Sequence, residues 1–291
     1  GNTNQARYEV PKGSGIRCFH STALWIGGTD AKNDLYVASE TYRNGGTQSY
    51  FLGPIVDEVN LKSNSLNCSD WDRHFKVYAS NIYHFKNSPI NTINDINEQI
   101  LYWPGRNNPY LNLPGNDKSY APFVDVDNDG IYNPMYGDYP DIIGHQSVWW
   151  IMNDVGGDKK LGDGTVSEKM GLEISVEAFA FQSDDALNNT TFQKYTIKNK
   201  SDKTYFNSYC GFHVDVDLGF YEDDFVGCDV ERGMGMTYNG KVEDLKYGKN
   251  PPAVGVDFVK GIIADINDTI DNNRNCQVDE ANEDFKMSHF L

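Results

Sequence analysis

Glu173-Ile174-Ser175-Val176-Glu177-Ala178-Phe179 alternates polar and apolar side chains, the period of two that belongs to a strand resting one face on a core. Ser183 to Asn189 breaks the alternation with turn-forming residues, and it resumes from Thr191 to Asn199. Tyr205 to Leu218 supplies a third run of the same kind. Three such runs joined by short polar connections predict antiparallel strands of a β-sandwich or a related sheet. Toward the N-terminus, Leu35 to Tyr42, then Asn44-Gly45-Gly46, then Gln48 to Leu52 predicts a hairpin.

Helical periodicity is confined to a short stretch. Ile93, Ile96, Ile100 and Leu101 fall at i, i+3, i+7 and i+8, so one amphipathic helix is expected over Thr92 to Trp103, stopped by Pro104-Gly105. A second, shorter helix is expected from Asn81 to Lys86 behind Ser80 as its cap, and Trp71, His74, Phe75 and Tyr78 also share helical spacing. The expected class is mainly β, with antiparallel β-sandwich-like sheets, one or two short helices and long calcium-stabilised loops. Residues 1–145 are expected to form an N-terminal β-rich region and 146–291 a sandwich-like domain that is cut short at its C-terminus.

The calcium expectation comes from Pro104 to Asp141, which is rich in Pro, Gly, Asn and Asp and has neither period. So long an irregular segment needs something other than secondary structure to order it. Within it, Asp125-Val126-Asp127-Asn128-Asp129-Gly130 places three carboxylates at alternate positions before a glycine, the pattern of a loop that wraps a hard cation in oxygen ligands. Asp125, Asp127 and Asp129 fill positions one, three and five, Ile131 offers its carbonyl at seven, and Asn133 stands at nine. Position twelve is Tyr136 where an EF-hand has a bidentate Glu, so Asp138 or Asp141 is expected to close the shell.

Two further acidic clusters are candidates. Asp271, Asn273, Asn275 and Asp279 repeat the alternate spacing with Cys276 in place of the glycine, and Glu283 stands near the end as a possible closing ligand. An ordinary acidic turn is the competing reading. On a strand, His213, Asp215 and Asp217 share one face, and Glu222, Asp223, Asp224 and Asp229 follow. Paired carboxylates there suit a glycosidase-like hydrolase, a cation, or a solvated strand face.

Composition narrows the partners. Lys and Arg total 25 against 42 Asp and Glu, a net charge of −17 that repels phosphate backbones and anionic membranes. Nucleic acid and direct membrane insertion are therefore not expected. Of the acidic residues 30 are Asp and 12 Glu, which favours acidic turns and loops over acidic helices. No C-x-x-C, G-x-S-x-G, H-E-x-x-H or phosphate-loop pattern is present. Cys210 with Cys228, and Cys18 with Cys68, are candidate disulfides, with buried free thiols as the alternative. The six His are scattered, and most of the many Trp, Tyr and Phe are expected in the core.

Several strings occur in order along nearly the whole chain: Leu24-Trp25-Ile26-Gly27-Gly28, Trp103-Pro104-Gly105, Ala121-Pro122-Phe123, Gly137-Asp138-Tyr139-Pro140 and Trp149-Trp150-Ile151-Met152-Asn153-Asp154. They continue as Asp215-Val216-Asp217-Leu218-Gly219, Asp223-Asp224-Phe225-Val226-Gly227-Cys228-Asp229, Tyr238-Asn239-Gly240 and Pro251-Pro252-Ala253-Val254-Gly255. Together they resemble the N-terminal region of large secreted Bacteroidetes proteins that carry a C-terminal type IX secretion sorting domain. That resemblance implies export, an extracellular or cell-surface location, and further domains beyond Leu291. It transfers no catalytic residue. The function expected is a non-catalytic, calcium-stabilised extracellular module for adhesion, scaffolding or glycan binding, with a hydrolase using Asp215 and Asp217 as the alternative.

Overall fold

The structure, a computed structural model, describes residues 8–40, 49–63, 68–157, 167–265 and 267–290. It is mainly β, with antiparallel sheets and a few short helices. The chain divides into two compact units, Leu24–Gly211 in one, and the chain up to Ala23 together with the chain from Phe212 in the other. His145, expected to mark a boundary, lies inside the larger unit. The reason is strand pairing: Phe51–Leu52 and Phe75–Tyr78 precede His145, and both pair with Gln146–Asn153, which follows it.

The larger unit is organised by that strand. Gln146–Asn153 pairs along its whole length with Leu172–Ala180, which in turn pairs with Thr191–Asn199. Ser147, Trp149, Ile151 and Asn153 are buried at alternate positions, as a period of two requires. Two strand expectations are corrected. Phe206–Val216 does not extend this sheet but belongs to the sheet of Arg17–Thr29, where Thr29 Oγ1 donates to the Phe206 carbonyl at 3.3 Å. Leu35–Ala38 and Phe51–Leu52 do not form a hairpin with each other, because the first pairs with Arg17–Thr29 and the second with Gln146–Asn153. The turn expected between them lies outside the described residues.

The helices are shorter than their periodicity predicts. Instead of one helix over Thr92 to Trp103 there is a 3-10 turn, Ile93–Asp95, and an α-helix, Glu98–Leu101. Asp95 accepts the backbone N–H groups of Asn91 and Thr92, and Asn97 accepts from Gln99, so two local caps split the segment. Ala79–Asn87 is the second expected helix. The helical spacing from Trp71 to Tyr78 is overridden: Cys68–Trp71 is a single turn, and Phe75–Tyr78 is a strand whose Phe75 and Val77 face the core.

One apolar cluster holds these pieces together. Trp71, Phe75, Val77, Ile100, Trp103, Trp149 and Ile151 form its centre, and Leu111, Leu113, Ala121 and Tyr132 join it from the irregular segment. That segment is therefore part of the core and not a surface loop. The Tyr132 hydroxyl donates to the Ile100 carbonyl at 2.6 Å. Gly105 packs so closely on the Tyr132 ring that any side chain there would collide with it.

The smaller unit has fewer buried apolar side chains. Asp224–Asp229, Met234–Asn239 and Ala253–Asp257 make a three-stranded antiparallel sheet. Leu218 and Cys18 are buried, as are Asp223, Asp244 and Glu283. Cys18, Cys210, Cys228 and Cys276 are free thiols, so the two disulfides expected from spacing are not formed.

Candidate metal centre

The Asp125 loop is built by its own side chains. Asp125 accepts the Gly130 N–H at 2.8 Å, Asp127 the Asp129 N–H at 3.3 Å and Asp129 the Ile131 N–H at 2.7 Å. These short links curl the backbone, with Asn128 at φ +61° and Gly130 at φ +77°. Glycine takes the second of these conformations without strain, which is why the motif ends on it.

The closing group is Asp138. Its side chain is fully buried, and its two oxygens accept the N–H groups of Val126 and Asn133, each at 2.8 Å. Carboxylate oxygens of Asp125, Asp127 and Asp138 lie within 4.8 Å of one another. Asp125 Oδ1 is buried and has no hydrogen-bond partner. A carboxylate oxygen left dry and unpaired beside two other carboxylates is costly unless a cation sits among them. Partial desolvation and the charges of Asp129 and Asp138 push the Asp127 carboxyl above its ordinary value, although the Asp129 amide opposes them.

The other expected ligands fall differently. Asp129 stands outside the convergent trio and Asn133 uses its side-chain oxygen to cap Pro134–Tyr136, accepting from Met135. Asp141 is exposed, which leaves Asp138 as the residue placed to close the shell. Hard oxygen donors on an irregular loop are the kind a calcium ion takes. Asp125, Asp127 and Asp138 would hold the ion, and its chemistry there would be charge neutralisation and ordering of the loop.

Several carboxylates after Phe206–Val216 hold nearby backbone or side-chain donors, although Asp224 Oδ1 is buried without a hydrogen-bond partner. Asp244 is buried, accepts from Lys246, Tyr247 and Phe220 at 2.7, 2.6 and 2.9 Å, and its carboxyl is held below the usual range: burial opposes this, but the backbone donors win. Asp223 accepts from Asn239 and faces Lys241 at 3.4 Å. Asp224 accepts the Leu218 N–H, and burial raises its carboxyl, with Asp223, Asp244 and Asp217 adding to the rise. Asp217 lies 3.5 Å from His20. Neither Asp215 nor Asp217 lines the groove of about 530 Å³ beside Asn107, Leu111 and Asn116 or the one of about 290 Å³ beside Tyr78, His145 and Phe181.

The sequence reading missed the carboxylates that organise the larger unit. Glu173 and Glu177 sit at the polar positions of an alternating strand, yet both are buried. Glu173 accepts from Ser119 Oγ at 2.6 Å and from the Ile55 N–H at 3.0 Å, and Glu177 accepts from Ser147 Oγ and the Ile143 N–H. Asp154, also buried, accepts the N–H groups of Met170 and Leu172. A glutamate recurring in phase on a strand next to a long irregular segment is the only sequence signal for such anchors.

Comparison with protein-family models, with characterised proteins and with solved structures gives no match.

Proposed function

We propose that the protein is a non-catalytic, calcium-stabilised module of a larger secreted or cell-surface protein, serving adhesion, scaffolding or glycan contact. The observation that carries the calcium part is the trio Asp125, Asp127 and Asp138, with its buried, unpartnered Asp125 oxygen, inside an irregular segment that feeds the core. The extracellular part is supported by the resemblance to exported Bacteroidetes proteins. Among the described residues no helix is long and apolar enough to cross a membrane.

A module of this kind binds without turnover. A glycan array probed with the calcium-loaded chain, run beside a broad glycosidase and peptidase screen, is expected to give retention and no product. Turnover that disappears in a folded Asp217→Asn variant would replace this reading with the hydrolase.

A further inference from the structure

The segment Asp271 to Glu283 follows the plan of the Asp125 loop residue by residue. At position one, Asp271 accepts the Cys276 N–H at 2.8 Å, as Asp125 accepts that of Gly130. At position three, Asn273 accepts the Asn275 N–H at 3.1 Å, as Asp127 accepts that of Asp129. At position five, Asn275 accepts the Gln277 N–H at 2.8 Å, as Asp129 accepts that of Ile131. Positions four and six are left-handed in both: Arg274 at φ +60° and Cys276 at φ +70°, against Asn128 at φ +61° and Gly130 at φ +77°. The residue at position two donates its N–H to the closing carboxylate in both loops, Asn272 to Glu283 at 2.5 Å and Val126 to Asp138 at 2.8 Å.

Shared turns alone would show only a shared backbone. The independent observation is Glu283 itself, 4% exposed, whose Oε1 is held at the loop by Asn272 while its Oε2 is buried with no hydrogen-bond partner. A buried carboxylate oxygen without a partner, on a side chain tied to a loop of oxygen donors, is costly unless a cation supplies the missing contact, and hard oxygen donors are the kind calcium takes. We infer that Asp271–Glu283 is a second calcium site, with Glu283 closing a shell begun by Asp271, Asn273 and Asn275. This rests on reading the Asp125 loop as a calcium site.

The donor set also departs from the expectation drawn from spacing. Asp279, expected as a ligand at position nine, accepts the Thr269 N–H at 3.2 Å and ties down the preceding segment, while Glu283 stands as the closing carboxylate, as its place near the end suggested. Glu280 is a positioning residue, accepting from the side-chain amides of Asn273 and Asn275 at 3.0 and 2.5 Å. With two carboxylates and two amides where the first site has three convergent aspartates, the second site is the weaker one, since affinity follows ligand charge.

Calorimetric titration of the chelator-treated chain with calcium tests this. The wild type is expected to show two binding events of different affinity. Glu283→Gln removes the weaker and keeps the tighter, and Asp138→Asn does the reverse. Asn273→Asp, which adds a charge to the shell, tightens the weaker event by about five- to tenfold, a gain that misfolding cannot produce. A single event lost in Asp138→Asn and untouched by Glu283→Gln and Asn273→Asp overturns the second site and leaves the first standing. A single event lost only in Glu283→Gln overturns the first and keeps the second. No binding in the wild type overturns both.

Discussion

Replacing Glu173 with alanine is expected to cost about 3–5 kcal/mol of stability, the range for removing one member of a buried, charged hydrogen-bond network. Glu173 is 2% exposed and joins three separate segments: Ser119 of the irregular stretch, the Ile55 backbone, and Lys200, whose ammonium lies 4.0 Å away and also pairs with Glu58 at 2.9 Å. Truncation strands a buried N–H and a buried hydroxyl at once. At roughly 2–4 °C per kcal/mol for a unit of this size, the melting temperature falls by about 6–20 °C. Glu173→Gln keeps the shape, with its amide N–H free to donate to the Ser119 hydroxyl, but loses the charge that faces Lys200, so it is expected to recover part of the loss. Thermal melts of the three proteins at matched calcium check this, and an alanine variant within about 1 kcal/mol of wild type refutes the anchoring role.

Chelating calcium is expected to lower the melting temperature of the larger unit by roughly 8–16 °C relative to saturating calcium. The figure follows from mass action: a ligand held only by the folded state at about a thousand times its Kd contributes about 4 kcal/mol, converted as above. Asp138→Asn should remove most of this difference, because the neutral amide no longer completes the anionic shell; its NH2 also faces one of the two backbone N–H groups the carboxylate accepts, which lowers the melting temperature in both buffers. The readout is differential scanning calorimetry with calcium and with excess EDTA. Equal melting temperatures in the two buffers would remove calcium from the account of this fold.

How far the chain can be read without coordinates follows from particular residues. The strands expected over 173–179 and 191–199 are present as Leu172–Ala180 and Thr191–Asn199, because those strands are long and mutually paired. Trp71 to Tyr78 misleads because Phe75 and Tyr78 fit a helix while Phe75 and Val77 equally fit a strand, and pairing with Gln146–Asn153 decides between them. Glu173 and Glu177 look solvent-facing because alternation assumes one wet face, whereas here segments from residues 55, 119 and 143 cover it. The Asp125 loop is legible because each of its turns is made within five residues. Its closing residue is not, since Asp138 and Asp141 differ only in burial. At Asp279 the sequence is silent on a related point: spacing records where a carboxylate stands in the chain, not which amide it faces.

The reach of Glu173 has a kinetic consequence. Its two hydrogen bonds span 54 and 118 residues of chain, and the strand beside it pairs with residues about a hundred positions earlier. Contacts of such separation form only after large loops have closed, which places folding in the slow regime of non-local β topologies, on the order of milliseconds to seconds or longer. Trp71, Trp103 and Trp149 lie together in the core those contacts enclose, so tryptophan fluorescence after dilution from denaturant should report a late, slow burial of all three. Until then the apolar residues of the irregular segment stay exposed, and the nascent chain is at its most prone to aggregate before its last strands arrive.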